Sequence, residues 1–331
     1  MIHTKFMLCC LLSVLLLSCS EDDDIVRHSE KNAIFVYMAA DNDLDYFAIQ
    51  NINQMERCFS ENQISNGVYV YVDRVKNRKT SHPCLYKVKA DNTDLIVSEI
   101  IKTYPEQNSS SADVFVSALK DAIAFSRKAN EQIKGIVLWS HGSAWLPKSE
   151  ILNSKRASTS STRSFGIDIT TEEPQEPYEM DIRELAERLR PFHYDFLVFD
   201  ACFMSSIEVL YEMRNSFDYI ISSPTEVLAT GFPYKEILPE LLSNSPNYSE
   251  IVEKYIAQYN EKKGVLKSAS MTVVKTSVLK SFSESLKELI NHDVTVPDIS
   301  TILQYDQEAT SWLFDIGGFV SLCLLYTSDA A

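Results

Sequence analysis

The stretch Asp195–Arg214, DFLVFDACFMSSIEVLYEMR, determines the fold class of this protein. Its apolar and aromatic start predicts a buried β-strand over Tyr194–Phe199. From Phe203 onwards the apolar residues recur at helical spacing, which predicts a helix over Phe203–Arg214 directly after the strand. A strand that runs straight into a helix is typical of parallel sheets, because the helix carries the chain back across the sheet.

The rest of the chain repeats this alternation of short apolar runs with helical patterns. Further strands are predicted at Ala33–Met38, Gly67–Asp73, Pro83–Lys89, Gly135–Trp139, Tyr219–Ser222 and Ala269–Lys275. Further helices are predicted at Ala40–Cys58 and from Ser110 or Ser111 onwards, where apolar residues recur at helical spacing. This alternation predicts an α/β fold with a mainly parallel central sheet of about six or more strands and helices on both faces.

The composition limits the classes of function. The 331 residues carry a formal net charge of −15 and no long run of Lys or Arg. This argues against nucleic-acid binding, because phosphate contacts need a concentrated basic surface. Behind the leader, Cys58, Cys84, Cys202 and Cys323 show no CxxC pair and no metal-type spacing, so no metal site is predicted. Cys58 and Cys84 either form a disulfide after export or stay buried thiols.

The first residues resemble an export signal rather than part of the fold. The apolar run Phe6–Leu17 follows Lys5 and is too short to span a bilayer as a helix. The next Cys is Cys19, and the polar, acidic run Ser20–Asp24 comes directly after it. This arrangement resembles a bacterial lipoprotein signal, in which cleavage before the Cys leaves it to be acylated. An ordinary secretory peptide with an incidental Cys is the alternative.

That resemblance implies a signal peptide over residues 1–18 and an acidic linker over 19–32 that begins at a lipidated Cys19. A multiply acylated Cys holds a protein firmly to a membrane. The protein is therefore expected to be exported and lipid-anchored to the bacterial outer membrane, on its periplasmic or cell-surface side. The acidic run resembles the surface-export signals of some Gram-negative lipoproteins, and a solvated linker explains it equally well.

Two reactive side chains follow predicted central strands. His141 follows the strand Gly135–Trp139 within the sequence SHG, and Cys202 follows the strand Tyr194–Phe199 within the sequence DAC. In open parallel sheets, functional sites form beyond the carboxyl ends of the central strands. If these two strands are neighbours, His141 and Cys202 face each other across one crevice.

These positions suit acyl transfer by a thiol nucleophile. Cys202 is predicted at the N-terminus of the helix Phe203–Arg214, whose free amides and dipole would stabilise a thiolate. His141 would act as its acid/base partner. The amides of Gly142 and Cys202 would form an oxyanion hole. The residues alone leave structural roles open, since a His after a strand or a Cys at such a turn is often structural.

Four segments carry a resemblance to a known family: FVYMAADNDLD at 35–45, VLWSHG at 137–142, FDACFMSSIEVLYEMR at 199–214 and SSPTEVLATGFPY at 222–234. Together they resemble the clostripain family of cysteine peptidases, over roughly Ala33–Gly318. That family belongs with caspases, legumains and gingipains to a clan with a caspase-like sheet and a His-Gly…Ala-Cys dyad. The resemblance implies a caspase-like fold and an endopeptidase with His141 as the catalytic His and Cys202 as the nucleophile.

The same resemblance implies cleavage after a basic P1 residue, Arg or Lys. The acidic residue that the family has two positions before the nucleophile falls on Asp200, and a bidentate contact would favour Arg. Glu226 would add a second acid to this P1 pocket. A structural carboxylate at the strand end and a solvent-facing Glu are the alternatives for these two residues.

Some family members cut themselves after a basic residue in the loop downstream of the His. In this chain that loop is Asn153–Ser164, which is polar and has no hydrophobic periodicity. It offers Lys155, Arg156 and Arg163 as self-cleavage sites. A plain flexible connection is the alternative.

The resemblance also implies how the chain divides. Residues 33–292 would form the caspase-like peptidase domain, and 293–322 would be the start of a truncated C-terminal subdomain. Residues 323–331 resemble a translated sequencing adapter and are given no function. No cofactor is expected to be required. Calcium dependence varies within the family, and the sequence has no EF-hand-type loop.

The expected partners are protein or peptide substrates and, through Cys19, a membrane; the protein is expected to be a monomer. A catalytically idle lipoprotein that binds peptides or partners with the same fold is a competing function. A peptidase with a non-basic P1 preference is a third. The presence of His141, Gly142, Asp200 and Cys202 together favours an enzyme.

Overall fold

A computed structural model of the chain describes residues 30–75, 82–145, 165–169, 178–291, 298–305 and 313–328. In these residues the expected α/β fold with a mainly parallel central sheet is confirmed. The predicted signal peptide, Cys19 and the loop Asn153–Ser164 lie outside the described residues. The division of the chain at residues 292 and 322 stays a prediction.

The central sheet has eight strands in the order β10-β9-β8-β5-β1-β2-β3-β4. Its strands are β1 Lys31–Ala40, β2 Gly67–Arg74, β3 Cys84–Lys87, β4 Glu99–Thr103, β5 Glu131–Trp139, β8 Tyr194–Asp200, β9 Phe217–Ser222 and β10 Thr272–Lys275. The five from β9 to β2 in this order pair in parallel, and β10, β3 and β4 add antiparallel pairs at the two edges. A separate two-stranded sheet contains β6 Phe165–Asp168 and β7 Tyr178–Met180.

Helices cover both faces of the central sheet, as expected. They are α1 Asp45–Asn62, α2 Ala112–Lys128, α3 Ile182–Leu189, α4 Ile207–Met213, α5 Tyr234–Leu241, α6 Tyr248–Asn260, α7 Leu279–Asn291 and α8 Ile316–Ser328. Helices α2, α3 and α4 share one hydrophobic core with the sheet, and α1, α5 and α6 share the other. A parallel sheet covered on both sides needs strands that are apolar at every position, which explains the continuous apolar runs of the sequence.

Strand β1 shows this double burial most fully. Phe35 and Tyr37 face the core that contains α2, and Val36 and Met38 face the core that contains α1. The Tyr37 ring stacks on Tyr71 of β2, with ring centroids 4.6 Å apart. Its hydroxyl donates a hydrogen bond of 2.7 Å to a backbone carbonyl, so the one polar atom of this buried ring is satisfied. The centre of the sheet is therefore a rigid base for the loops above it.

The predicted helix Phe203–Arg214 is wrong at its beginning. The helix α4 begins at Ile207, after Ser206, whose hydroxyl accepts the N–H of Val209 as an N-cap. Phe203 has a backbone φ of 62°, which a right-handed helix does not allow. Cys202 therefore lies five positions before the helix, and the expected stabilisation of its thiolate by a helix N-terminus does not occur.

The predicted helix Ala40–Cys58 also begins later, at Asp45. The side-chain oxygen of Asn42 accepts the N–H of Leu44, so this residue forms a turn between β1 and α1.

Cys58 and Cys84 do not form a disulfide. Cys58 on α1 and Cys84 on β3 are both free and buried, so of the two alternatives the structure has the unpaired one. Burial raises the pKa of Cys58 to about 11, which keeps this thiol protonated and unreactive at neutral pH.

Among the described residues, no helix combines the length and the apolar character needed to cross a bilayer.

Candidate active site

The strands that deliver His141 and Cys202 are neighbours. β5 and β8 pair in parallel, with Trp139 opposite Asp200 at their carboxyl ends. The ladder continues for one more step, because the N–H of Ser140 donates to the carbonyl of Asp200 at 3.3 Å. The two chain segments therefore leave the sheet side by side, as the strand-end argument predicted.

Gly142 lies directly against the backbone of Cys202. A Cβ on Gly142 would be 2.7 Å from the carbonyl oxygen of Cys202 and 2.8 Å from the Cβ of Ala201. Real Cβ atoms do not come so close to backbone, so only glycine fits at this position. The structure thus brings the His141–Gly142 turn and the Cys202 turn together.

His141 contacts an acid that the sequence analysis missed. Its Nε2 lies 2.7 Å from Oδ1 of Asp43, in the turn after β1. The backbone carbonyl of His141 accepts the N–H of Gly166 at 2.9 Å, which ties the residue to β6. The signal that could have revealed Asp43 is the polar sequence DND, residues 41–43, at the end of the first central strand.

The thiol of Cys202 is partly buried and contacts one residue of the loop that follows β9. The N–H of Val227 donates to Sγ at 3.2 Å, and the thiol donates to the carbonyl of Val227 at 3.5 Å. Burial raises the pKa of Cys202 to about 11; the Val227 amide lowers it, and the charges of Glu226 and Asp200 raise it. At neutral pH this thiol is therefore protonated, and it could act as a nucleophile only after a base had taken its proton.

Asp200 is buried at the end of β8, with 4% of its surface exposed. Its Oδ2 accepts the N–H of Phe232 at 3.0 Å and the hydroxyl of Tyr234 at 2.8 Å. Burial raises the pKa of Asp200 to about 6, although both hydrogen bonds lower it. Gly231, with a φ of 66°, packs closely here, since a Cβ on it would be 2.6 Å from Oδ2. By contrast, Glu226 is exposed to solvent.

The loop over 223–233, which contacts both Cys202 and Asp200, is anchored by side chains on other elements. Asn51 of α1 donates to the carbonyl of Thr230 at 3.0 Å and accepts the indole N–H of Trp139 at 2.8 Å. Tyr259 of α6 accepts the N–H of Leu228 at 3.1 Å. These long-range contacts hold the Val227 amide against the thiol, and no local sequence pattern predicts them.

The remaining site predictions fall elsewhere. The predicted self-cleavage sites and the predicted lipidation site lie outside the described residues; they are Lys155, Arg156, Arg163 and Cys19. Within the described part of the chain, no group of three or more His, Cys, Asp or Glu side chains is arranged to hold a metal ion. Calcium dependence therefore rests on the family resemblance alone.

Comparison with known proteins gives matches over most of the chain. The model of the clostripain family, Peptidase_C11, matches residues 36–315. No curated protein matches the chain at a significant level. Among solved structures, a secreted C11 cysteine protease from Bacteroides thetaiotaomicron, in complex with an irreversible peptide inhibitor, is 30% identical. The match covers 88% of this chain and 78% of that one, with a TM-score of 0.67.

Two further solved structures match 88% of this chain. An inactive zymogen C11 protease from Parabacteroides distasonis is 28% identical over 76% of its own length, with a TM-score of 0.68. A secreted C11 cysteine protease from Bacteroides thetaiotaomicron called iotapain is 25% identical over 80% of its length, with a TM-score of 0.73.

The close approach of Gly142 to Cys202 yields a prediction about stability. Gly142→Ala should lower the free energy of unfolding by about 1–3 kcal/mol, because the added methyl meets backbone that cannot yield. Chemical denaturation of both proteins measures the difference. Gly317→Ala is the control, since Gly317 is an exposed position of α8 where Ala favours the helix. Equal stability of Gly142→Ala and the wild type would contradict the close packing of the two turns.

Proposed function

As a member of the clostripain family this chain is a cysteine peptidase, and we propose that it is an endopeptidase that cleaves after basic P1 residues. In this proposal Cys202 is the nucleophile and His141 is its acid/base partner. The observation that carries the proposal is the packing of Gly142 against the Cys202 backbone at the ends of two paired strands.

The proposed reaction begins from the neutral thiol. When the substrate is bound, the imidazole of His141 takes the proton of Cys202, and the thiolate attacks the carbonyl carbon of the scissile bond. The amides of Gly142 and Cys202 hold the resulting oxyanion. The imidazolium then returns the proton to the leaving amine, so the peptide bond breaks and an acyl-enzyme remains. Water, deprotonated by the same imidazole, hydrolyses the thioester and restores the thiol.

The charges around the nucleophile support a basic P1 preference. Asp200 and Glu226 are both close enough to Cys202 for their charges to raise its pKa. An Arg or Lys side chain beside the scissile bond would therefore be attracted to the same place. Asp200 is the stronger candidate, because a buried carboxylate interacts more strongly with a cation than one exposed to water.

Self-cleavage in the loop Asn153–Ser164 is part of the proposal. The loop connects two described segments that both contact the site, since His141 precedes it and the N–H of Gly166 after it binds the His141 carbonyl. One matching structure is described as an inactive zymogen, and this supports a maturation step in relatives.

We also propose that the protein is exported and lipid-anchored to the outer membrane through Cys19, as the leader sequence indicates. Two matching proteases are described as secreted, which is consistent with export. Labelled palmitate should be incorporated into the wild type and lost in Cys19→Ala. Equal labelling of the two proteins would contradict acylation at Cys19, and label in neither would favour an ordinary secretory peptide.

The peptidase proposal is tested with fluorogenic peptides that end in Arg, Lys, Asp or Asn. The wild type should cleave after Arg or Lys, and Cys202→Ala and His141→Ala should each lower kcat by about a thousandfold or more. Turnover of no peptide, or equal turnover by the wild type and Cys202→Ala, would reject the Cys202 mechanism. Turnover only after Asp or Asn would instead reject the basic P1 preference.

The same proteins test self-cleavage by mass spectrometry of the purified chains. The wild type should divide into two fragments whose new termini border Lys155, Arg156 or Arg163, while Cys202→Ala stays whole. If both proteins stay whole, maturation in this loop is rejected even when the peptides are cleaved.

The role of Asp200 predicts a pH-dependent selectivity. Because the pKa of Asp200 is about 6, its carboxyl is charged above that pH and neutral below it. The kcat/KM for an Arg peptide relative to a Gln peptide should fall as the pH decreases through about 6. Asp200→Asn should lower this ratio by about tenfold to a hundredfold at pH 8 and make it independent of pH.

Glu226→Gln is the matched control for this experiment. The carboxylate of Glu226 is exposed, so water and salt weaken its effect and the selectivity should change much less. An Asp200→Asn protein with the selectivity and pH dependence of the wild type would show that Asp200 has only a structural role.

A further inference from the structure

We propose that Asp43 is a positioning residue for His141. Its carboxylate holds the imidazole through Nε2 and leaves Nδ1 as the nitrogen that exchanges a proton with Cys202. This inference rests on the proposed acid/base role of His141.

The chemistry of the contact determines which nitrogen is basic. An ionised carboxylate only accepts hydrogen bonds, and a neutral imidazole has one N–H and one unprotonated nitrogen. With Oδ1 of Asp43 at 2.7 Å from Nε2, the hydrogen of the neutral ring lies on Nε2. Nδ1 then carries the lone pair that can accept the thiol proton.

The fold places Asp43 beside His141 in the same way as it places Cys202. β1 pairs in parallel with β5, with Met38 opposite Trp139 at their carboxyl ends. The hydroxyl of Ser140 donates to the carbonyl of Ala39 at 2.6 Å, which holds the two segments together just above the sheet. β1, β5 and β8 are consecutive in the sheet, so the residues of three adjacent strand ends meet at His141.

The turn that carries Asp43 is held in place by Asn42, which is 2% exposed. The side-chain amide of Asn42 donates to the carbonyl of Ala39 at 3.0 Å and to that of Ile167 at 2.8 Å. Its side-chain oxygen accepts the N–H of Leu44 at 2.9 Å. Asn42 thus fixes the backbone on both sides of Asp43, as a positioning role requires.

The exposure of the pair decides how Asp43 acts. The side chain of Asp43 is 80% exposed and that of His141 is 34% exposed. Water and salt screen a charge in such a place, so its electrostatic effect on the reaction is small. The main effect is the orientation of the ring, and an uncharged acceptor of the same shape should largely replace it.

The kinetic test uses the wild type, Asp43→Ala and Asp43→Asn on the Arg peptide. Asp43→Ala should lower kcat by about tenfold and leave KM within about threefold, because orientation matters in the reacting complex. Asp43→Asn keeps an oxygen acceptor and should recover most of the lost kcat. Wild-type kcat in Asp43→Ala would overturn the proposal, and so would an Asp43→Asn protein that is as slow as Asp43→Ala.

Asp45→Asn is the matched control, because it changes an acid two positions away that binds Arg74. It should lower the thermal stability and leave kcat unchanged. Asp43→Ala should instead lower kcat and leave the thermal stability unchanged. A similar loss of kcat in both variants would show a general effect of the turn, and it would overturn a specific role for Asp43.

A second measurement does not need an active enzyme. In the Cys202→Ala protein, nitrogen NMR of the histidine rings should show His141 with its hydrogen fixed on Nε2. In Cys202→Ala with Asp43→Ala, both tautomers should appear. The same spectrum in both proteins would overturn the proposal. Failure of the wild type to cleave any peptide would reject the proposed function without deciding the Asp43 question, which these spectra then decide.

Discussion

The parallel register of β1, β5 and β8 fixes the relative positions of Asp43, His141 and Cys202. Met38, Trp139 and Asp200 lie in one row across these strands, and each strand ends within a few residues of that row. Because all three strands run in the same direction and are buried on both faces, their carboxyl ends cannot shift without unpacking two cores. The loops that follow these strands therefore begin at fixed positions. For this reason Asp43 and Cys202 can both lie near His141, although they are about 100 and about 60 positions away from it in the sequence.

Burial also keeps the thiol of Cys202 protonated at neutral pH. No helix begins at Cys202, and its thiol is contacted by one amide, that of Val227 in the loop after β9. This hydrogen bond lowers the pKa of the thiol less than burial raises it. A pKa of about 11 leaves few thiolates at neutral pH. In the proposed mechanism the thiolate is therefore generated by proton transfer within the site, so the placement of the His141 ring matters more than in an enzyme with a preformed ion pair.

The fold and the neighbouring positions of the SHG and DAC turns could be predicted because local patterns encode them. The continuous apolar runs that end in SHG and DAC indicate buried strands that are followed by polar groups. The family resemblance adds the expected roles of His141 and Cys202. The beginning of α4 could not be predicted, because Phe203, Met204 and their neighbours have helical spacing but the φ of Phe203 is left-handed. Asp43 and the Val227 amide were missed because tertiary contacts, rather than spacing, bring them to the site.

Three acids lie near His141 and Cys202, and they differ in how deeply they are buried. Asp200 is buried and accepts hydrogen bonds from Phe232 and Tyr234, and its pKa is about 6. When this carboxyl is ionised, water screens its charge little, so it would attract a nearby cation strongly. Glu226 and Asp43 are open to water, which weakens their charges. An exposed acid can still orient a neighbouring ring, because its hydrogen bond fixes the ring even when water screens the charge of the acid. In the proposed mechanism Asp43 therefore acts through the orientation of His141 and Asp200 acts through its charge, although both side chains carry the same chemical group.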